Sequence, residues 1–427
     1  MGLGIEKPVV GLAISIALIL VALAVCQGLL VVGLIGALMR FRRGLPDNRD
    51  CPKAAIVLCL RGRDPFLEEC LESLLKQDYP DYRLHIVVDN RQDPARQVAD
   101  SLAERYGAGR VGVEILDQRH GTCSLKCSAV VQAIERLDES VRVTALVDAD
   151  TAPPPSWLRE LVAPLADDCV GAATGNRWYM PAVGSWGALV RYLWNAAAIV
   201  QMYWYEVPWG GTLAVKNKAI NELDLLGRWR QAFCEDTMLY RQLGRRGLRV
   251  KFVPSLMMVN REDCGLRACG AWIGRQLLTM RLYHPLWPLV LLHGFGTTLL
   301  LIAAVVVTAI AALHHDWPAA LWCGGGLAVY ELIMVGLLAP LEIAVRRIVR
   351  SQGGPTRWLS PKTILRLIPA IVLTQAVYTL ALIGAQFARK ASWRGVCYRI
   401  DGPWSIHRLD DSPYSSDLAC GADGHSL

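Results

Sequence analysis

Apolar residues are laid out along this chain in two different ways. In four stretches they run almost unbroken, and between the first and second stretches they come in short bursts separated by polar residues. Residues 8–39 contain no Asp, Glu, Lys or Arg. A bilayer core takes about 20 apolar residues in a helix, so this stretch predicts a transmembrane helix. Residues 286–313 are also free of charge, residues 317–345 are broken only by Glu331 and Glu342, and residues 367–388 are charge-free again. Glu342 is placed to reach an interface, whereas Glu331 lies mid-span and is expected to face the protein interior or a polar headgroup.

Basic residues follow three of these stretches: Arg40, Arg42 and Arg43; Arg346, Arg347 and Arg350; and Arg389, Lys390 and Arg394. The positive-inside rule places residues 40 onward in the cytosol and the N-terminus outside. Three full crossings after a cytosolic domain would leave the C-terminus outside, yet the arginines after residue 388 place it inside. One C-terminal segment is therefore expected to be re-entrant or to lie in the interface. The stretch from Ser351 to Arg366, with Pro355, Trp358 and Lys362, has interfacial character.

Between the first two stretches the period changes. Ala54–Leu60, Leu84–Asp89, residues 111–116 and Val143–Asp150 read as buried strands, and helical spacing recurs over residues 66–75, 94–106 and 124–137. Strands alternating with helices predict an α/β domain whose mostly parallel sheet is covered on both faces. Ligands bind beyond the C-terminal strand ends of such sheets, where Asp89, Asp148 and Asp150 fall. Residues 265–283 read as an amphipathic helix at the membrane surface, with Arg267, Arg275 and Arg281 snorkelling among Leu266, Trp272 and Leu277.

Composition narrows the class. The 427 residues are 53% hydrophobic and 19% charged, against the ~25% charged of a soluble domain. Disorder is excluded and full solubility disfavoured. The net charge of +7 comes without a basic run interleaved with aromatics, so no nucleic-acid partner is indicated. Thirteen scattered cysteines contain no CxxC, which points to buried free thiols rather than disulfides or structural zinc. Neither a dinucleotide GxGxxG nor a P-loop is present.

The chemistry-bearing residues cluster at loops. Asp148-Ala149-Asp150 presents two hard oxygen ligands suited to Mg²⁺ or Mn²⁺ and, through such an ion, to a diphosphate. Asp89 could accept a hydrogen bond from a nucleobase imide or simply form a turn, with Asp93 as a weaker alternative. Lys126, near a helix N-terminus, is a phosphate contact or a surface lysine. Glu235-Asp236 is read as opening a helix, with either a dipole role or a general base. Gly210-Gly211-Thr212 allows backbone to approach a bulky ligand or forms a simple turn.

These pieces resemble the membrane-integral, inverting family 2 glycosyltransferases of GT-A fold, in their ceramide glucosyltransferase-like branch. The matching runs are AAIVLCLRGRDPFLEECLESLLKQDYPDYRLHIVVD, SLKCSAV, LVDADTAPP, GGTLAVKN and FCEDTMLYRQLGRRGLRV, with Trp393-Arg394-Gly395 and Tyr398 in the tail. The resemblance implies a Rossmann-like cytosolic domain flanked by transmembrane helices. Asp89 would contact uracil, Asp148 and Asp150 would hold a divalent metal (Mn²⁺ or Mg²⁺), and Asp236 would be the catalytic base. Arg61, Lys126, Gly211, Glu235, Arg275 and Gln276 fall with the donor, and Trp272 and Arg281 with the acceptor. The family's (Q/R)xxRW motif appears as Trp272-Ile273-Gly274-Arg275-Gln276, retaining only the arginine.

The expected organisation is an N-terminal transmembrane helix (8–39), a catalytic domain (44–263), an interfacial helix (264–285), a membrane region (286–388) and a tail (389–427). The expected activity is transfer of a hexose, glucose first, from a UDP-sugar to the hydroxyl of a membrane lipid such as ceramide or diacylglycerol. A hopanoid or polyprenyl-type acceptor, a polysaccharide synthase and a catalytically silent nucleotide-binding scaffold are the alternatives.

Overall fold

In the computed structural model the described residues are 6–41, 44–181, 184–354, 356, 358–410 and 414. Arg42, Arg43 and Pro355, named above, lie outside them. The chain divides into two units, one of residues 1–40 with 286–347 and one of residues 41–285 with 348–427.

The second unit is built on seven strands. The elements from the start of the chain are α1 (Glu6–Arg40), β1 (Ala54–Leu60), α2 (Leu67–Leu75), β2 (Tyr82–Val88), α3 (Pro94–Tyr106), β3 (Val111–Ile115), α4 (Leu125–Glu135) and β4 (Val143–Val147). There follow α5 (Trp157–Val162), β5 (Val170–Tyr179), α6 (Trp186–Trp204), β6 (Thr212–Lys216), α7 (Asn217–Glu222), α8 (Leu225–Trp229), α9 (Leu239–Gly244), β7 (Arg249–Asn260) and α10 (Leu266–Tyr283). The sheet order is β3-β2-β1-β4-β6-β5-β7. Strands β3, β2, β1 and β4 are parallel, β6 runs antiparallel to both its neighbours, and β7 is parallel to β5.

The aliphatic runs become central strands because both sheet faces are covered, so alternation is not required. Every residue of β4 is buried. One face packs Leu71, Leu74, Ala99, Trp157 and Leu161, and the other packs Val130, Ile134, Trp229 and Phe233. Strand β4 stops at Val147, so Asp148 and Asp150 stand just past its C-terminal end, as Asp89 stands just past β2. Helix α4 starts where Ser124 caps it, its side chain accepting from the Cys127 N–H at 3.1 Å, which places Lys126 in the first turn. Register shifts interrupt the β5–β7 ladder between Val170 and Ala172 and between Thr174 and Asn176. Gly175 is required at the second, since a β-carbon there would overlap the Leu256 carbonyl.

One expectation is corrected here. Glu235-Asp236 does not open a helix: the pair lies in an irregular loop, and α9 begins only at Leu239. Asp93, the weaker alternative to Asp89, is occupied by backbone donors. It caps α3 through the Ala95 N–H at 2.9 Å and accepts the Gly62 N–H at 2.9 Å.

After α11 (Trp287–Leu313), α12 (Trp317–Ser351) and α13 (Pro361–Phe387), the chain forms a three-stranded antiparallel sheet of β8 (Lys390–Trp393), β9 (Val396–Gly402) and β10 (Ser405–Arg408). Its strands alternate: Val396, Tyr398, Ile400 and Ile406 point inward and join the core beside Phe233 and Tyr283. The Tyr398 hydroxyl accepts the Leu125 N–H at 3.1 Å, satisfying a donor that the first turn of α4 leaves open.

In the first unit, small residues let helices approach closely. Ala13, Leu20 and Ala24 of α1 pack with Ala304 and Ala311 of α11 and with Ala319, Cys323 and Tyr330 of α12. The Tyr330 hydroxyl donates to Gln27 Oε1 at 3.0 Å, and Gln27 meets His293 at 2.7 Å. Glu342 pairs with Arg346 at 2.5 Å within α12, and Glu331 is half-buried. By length and composition α1, α11, α12 and α13 could each cross a membrane. All cysteines among the described residues are free.

The C-terminal sheet carries a first prediction. Tyr398→Phe leaves the buried Leu125 N–H unpaired and should cost about 1–3 kcal/mol, read as a lowered melting temperature in detergent.

Candidate active site

One pocket gathers the loops that follow β1, β2 and β4, the first turn of α4, the end of β5, the loops before β6 and α9, helix α10 and the β8–β9 turn. Of the residues singled out by sequence, Arg61, Asp89, Lys126, Asp148, Asp150, Glu235, Asp236, Trp272, Arg275 and Gln276 line it. Gly211 lies directly behind, where a β-carbon would overlap the Trp209 ring and sit 2.6 Å from Asp148 Oδ2. Gly210 is equally constrained: a β-carbon would overlap Glu235 Oε1 and lie 3.3 Å from Asp236 Oδ2. Arg281 is not part of the pocket. Its guanidinium donates to the carbonyls of Gln386 at 2.6 Å and Ala388 at 2.8 Å, so it caps the C-terminal end of α13.

Lys126 is the hub of the charge arrangement. Its ammonium lies 2.7 Å from Asp148 Oδ1 and 2.7 Å from Glu235 Oε1. Burial alone would lower its pKa, but the two carboxylates hold it well above the usual lysine value. Burial likewise opposes ionisation of Asp148, and Lys126, with Arg177 and Arg394 adding to it, more than compensates, leaving that carboxyl below its usual range. Glu235 is pushed up to about 6, by burial first, with Lys126 pulling down and Asp236 pushing up.

Among the described residues Asp150 has no cation at ion-pair distance, and Arg177 acts on it only from farther off. Asn260 Nδ2 donates to its Oδ2 at 3.0 Å, while Oδ1 is buried without a hydrogen-bond partner. Burial and the neighbouring Asp148 charge raise its pKa to about 7. A buried oxygen aimed into a pocket and short of positive charge suits a divalent cation, with Asp148 beside it. Among the described residues no three His, Cys, Asp or Glu side chains come together as a metal cluster. The remaining ligands of such an ion would have to come from substrate and water.

Asp236 is held by donors on both oxygens. The Gly210 N–H reaches Oδ2 at 2.8 Å, and the Thr237 N–H and hydroxyl reach Oδ1 at 2.5 and 2.9 Å. These bonds fix the carboxylate in orientation at the pocket wall. Asp89 is ion-paired with Arg61 and, at 2.9 Å, with Arg119, and it also takes Asn90 Nδ2 at 3.0 Å. These donors fix the Asp89 carboxylate at this end of the pocket.

Several lining residues carried no role in the sequence reading. Arg177 and Tyr179 share one face of β5, two residues apart. The Arg177 guanidinium lies over the rings of Trp209 at 5.1 Å and Trp272 at 4.7 Å, and donates to Gln276 Oε1 at 2.9 Å. Trp272 is thus buried among aromatic rings, with Tyr179 and Trp194 edge-on at 5.7 and 5.2 Å. Trp393 supplies the aromatic surface under Arg275 (5.3 Å) and Lys126 (5.9 Å). Arg394 makes a forked pair with Asp64 at 2.9 and 3.0 Å and exchanges bonds with Arg61: its Nη1 reaches the Arg61 carbonyl at 2.8 Å, and Arg61 Nε reaches its own at 2.9 Å. The Trp393-Arg394 likeness noted in the tail was the signal available for these two. Arg177 gave none, because an arginine between aromatics reads equally as packing.

The family model for glycosyl transferase family 21 matches residues 14–404. The chain belongs to that family. The likeness to ceramide glucosyltransferases recurs as 35% identity over 65 residues to the "Ceramide glucosyltransferase" of Komagataella phaffii, covering 15% of this chain and 13% of that protein. A "Probable glycosyltransferase YdaM" from Bacillus subtilis is 24% identical over 242 residues, covering 52% of this chain and 55% of its own. The chain therefore spans at most about half the length of these two relatives. A mannosyltransferase from Pyrobaculum calidifontis, PcManGT, solved with GDP-Man and Mn²⁺, superposes with a TM-score of 0.50 at 18% identity, over 88% of this chain and 99% of its own. The fold is that of the GT-A glycosyltransferases, and the protein is a glycosyltransferase.

Two outcomes follow. Gly211→Ala should lower turnover by about a hundredfold, because the added carbon displaces Trp209 or Asp148 by an ångström or so; steady-state assays of the purified enzyme read this. Asp150 and Glu235 bind protons more tightly folded than unfolded. Stability from them is therefore complete near pH 4 and is lost as pH rises through about 6 to 7. Melting temperature in chelator should fall across that window, and Asp150→Asn should remove most of the slope near pH 7.

Proposed function

We propose that this glycosyltransferase moves a hexose from a UDP-sugar to the hydroxyl of a membrane lipid, with inversion at the anomeric carbon. The observation that supports a lipid acceptor is the packing of α10. This helix brings Trp272, Arg275 and Gln276 to the pocket and packs along α13, a helix apolar enough to sit in a bilayer. Gly270 of α10 faces Val377 of α13, where a β-carbon would lie 3.8 Å from Cγ1. The site wall and an apolar, lipid-compatible helix are thus direct neighbours. An acceptor could keep its alkyl chains in lipid while its hydroxyl reaches Asp236. Ceramide and diacylglycerol both have that shape, and glucose is the first candidate sugar.

The residues divide the work. Asp89, set by Arg61 and Arg119, receives the imide N–H of the base. Lys126 and Arg275 face the diphosphate and offset the charge that grows as it leaves. Asp236, its orientation fixed by Gly210 and Thr237, takes the proton of the attacking hydroxyl. Displacement in one step from the face opposite UDP gives a β-linkage from an α-linked donor. Asp148 and Asp150 would hold a divalent ion, Mn²⁺ or Mg²⁺, which when bound neutralises the diphosphate. The arginines after residue 388 and after residue 39 favour a cytosolic catalytic unit.

Asp236→Asn should reduce transfer about 10²- to 10⁴-fold while UDP affinity stays within twofold of wild type. Radiolabelled UDP-glucose with membranes should yield a single chloroform-soluble glycolipid. Label left at the chromatographic origin would mark a polysaccharide synthase instead. Metal-dependent UDP release absent with every lipid tried would return the scaffold reading, and GDP-mannose in parallel tests the donor.

A further inference from the structure

Helix α13 has the length and apolarity of a membrane crossing, yet both its ends are attached to the catalytic unit. At its start Ser360 caps the helix, and Thr363 lies beside Gly184, just ahead of α6, where a β-carbon would come 3.2 Å from the threonine Cγ2. At its end the carbonyls of Gln386 and Ala388 accept from Arg281 of α10. Two residues later begins the small sheet whose first turn lines the active site. Between these points α13 packs along both α6 and α10.

Those neighbours settle what a crossing would require. Helix α10 carries Arg267, Arg275 and Arg281, and its middle residues Trp272, Arg275, Gln276 and Thr279 line the polar pocket. A bilayer core around α13 would enclose that stretch of α10 and the pocket with it, and charged side chains at mid-depth are strongly disfavoured there. The chain also returns early. From Ile348 every described residue belongs to the catalytic unit, and Gln352 Nε2 already donates to the Ser255 carbonyl of β7 at 2.7 Å.

Beyond the exposed Lys362 and Arg366 of its first turns, the outer face of α13 is apolar: Leu365, Ile368, Val372, Leu380 and Phe387 are each about two-thirds to three-quarters exposed. Its inner face is small, with Ala370, Ala381 and Ala385 buried. Lys362 and Arg366 confine its charge to the first turns. We propose that α13 does not cross the membrane but lies in the plane of one leaflet. Its outer face meets lipid acyl chains, and the catalytic unit to which both ends return stays on one side. Crossings then number three: α1 once, and α11 with α12 as one out-and-back pair. This parity returns the arginine-rich C-terminal residues to the side of the catalytic unit, as their charge requires.

The test is sidedness in sealed membranes of the full-length protein, and it is independent of donor or acceptor. Cys169 and Cys397 are native exposed thiols, in the catalytic unit and beyond α13. Ser360→Cys adds one before α13. A membrane-impermeant maleimide is applied to right-side-out and inverted vesicles, and labelled peptides are quantified by mass spectrometry. The expected result is that positions 169, 360 and 397 all label at least tenfold more in the same vesicle type. Opposite preference at 360 and 397 would show α13 crossing and overturn the proposal. If the position-360 variant folds poorly, Trp358→Cys, at an exposed position also ahead of α13, takes its place: opposite preference at 358 and 397 overturns the proposal, and shared preference with Cys169 supports it.

Discussion

The site depends on one half-buried cation shared between two carboxylates. Lys126 sits at 2.7 Å from both Asp148 and Glu235. Those acids come from the end of β4 and from the loop before α9, segments almost ninety residues apart in sequence. Two like charges at this spacing in a desolvated pocket would repel, and a lone buried lysine would lose its proton. Together they are stable, and each group's ionisation depends on the others. The clamp also sets the neighbours. With Glu235 anchored, the adjacent Asp236 is presented to Gly210 N–H, and Gly210 and Gly211 must be glycine because Glu235 and Asp148 occupy the space a side chain would fill.

Much of this could be read in the sequence. The strands were legible because buried parallel strands are plain aliphatic runs, and Asp89, Asp148 and Asp150 were placed by the rule that ligands gather at strand ends. Lys126 was legible through Ser124, whose cap fixes where α4 begins. The Glu235-Asp236 pair was found for its chemistry but misplaced in structure. Acids just before a helical run look like a first turn, whereas here the backbone stays irregular and its N–H groups are used on Asp236. Arg281 was misassigned for a related reason. Helical periodicity shows that an arginine lies among apolar residues, but it does not distinguish a substrate contact from a cap on the helix packed alongside.

Trp393-Arg394-Gly395 and Tyr398 stood out in the tail, but where it packs was illegible for a more general reason. Nothing local in residues 390–408 says that the β8–β9 turn folds back over α4. The decisive contacts join residues some three hundred positions apart: Arg394 to Asp64 and Arg61, and Tyr398 to Leu125. The tail does more than close the core. Trp393 offers its ring to Arg275 and Lys126.

Charge balance around the pocket then separates what is structural from what is reserved. Asp64, Asp89, Asp148 and Glu235 each have a basic partner within ion-pair distance. Among the described residues Asp150 does not, and its buried Oδ1 has no hydrogen bond there. On the positive side Arg177 has no carboxylate partner among the described residues; two indole faces and Gln276 hold it, and its Nε is buried without an acceptor. Unpaired buried charges of both signs are costly, and packing alone would favour bringing them together. Trp272 and Trp209 instead fix Arg177 against their faces, while Asn260 fixes Asp150. Such a site gains most from a ligand carrying both signs of charge, and an anionic nucleotide diphosphate arriving with a divalent cation has that composition.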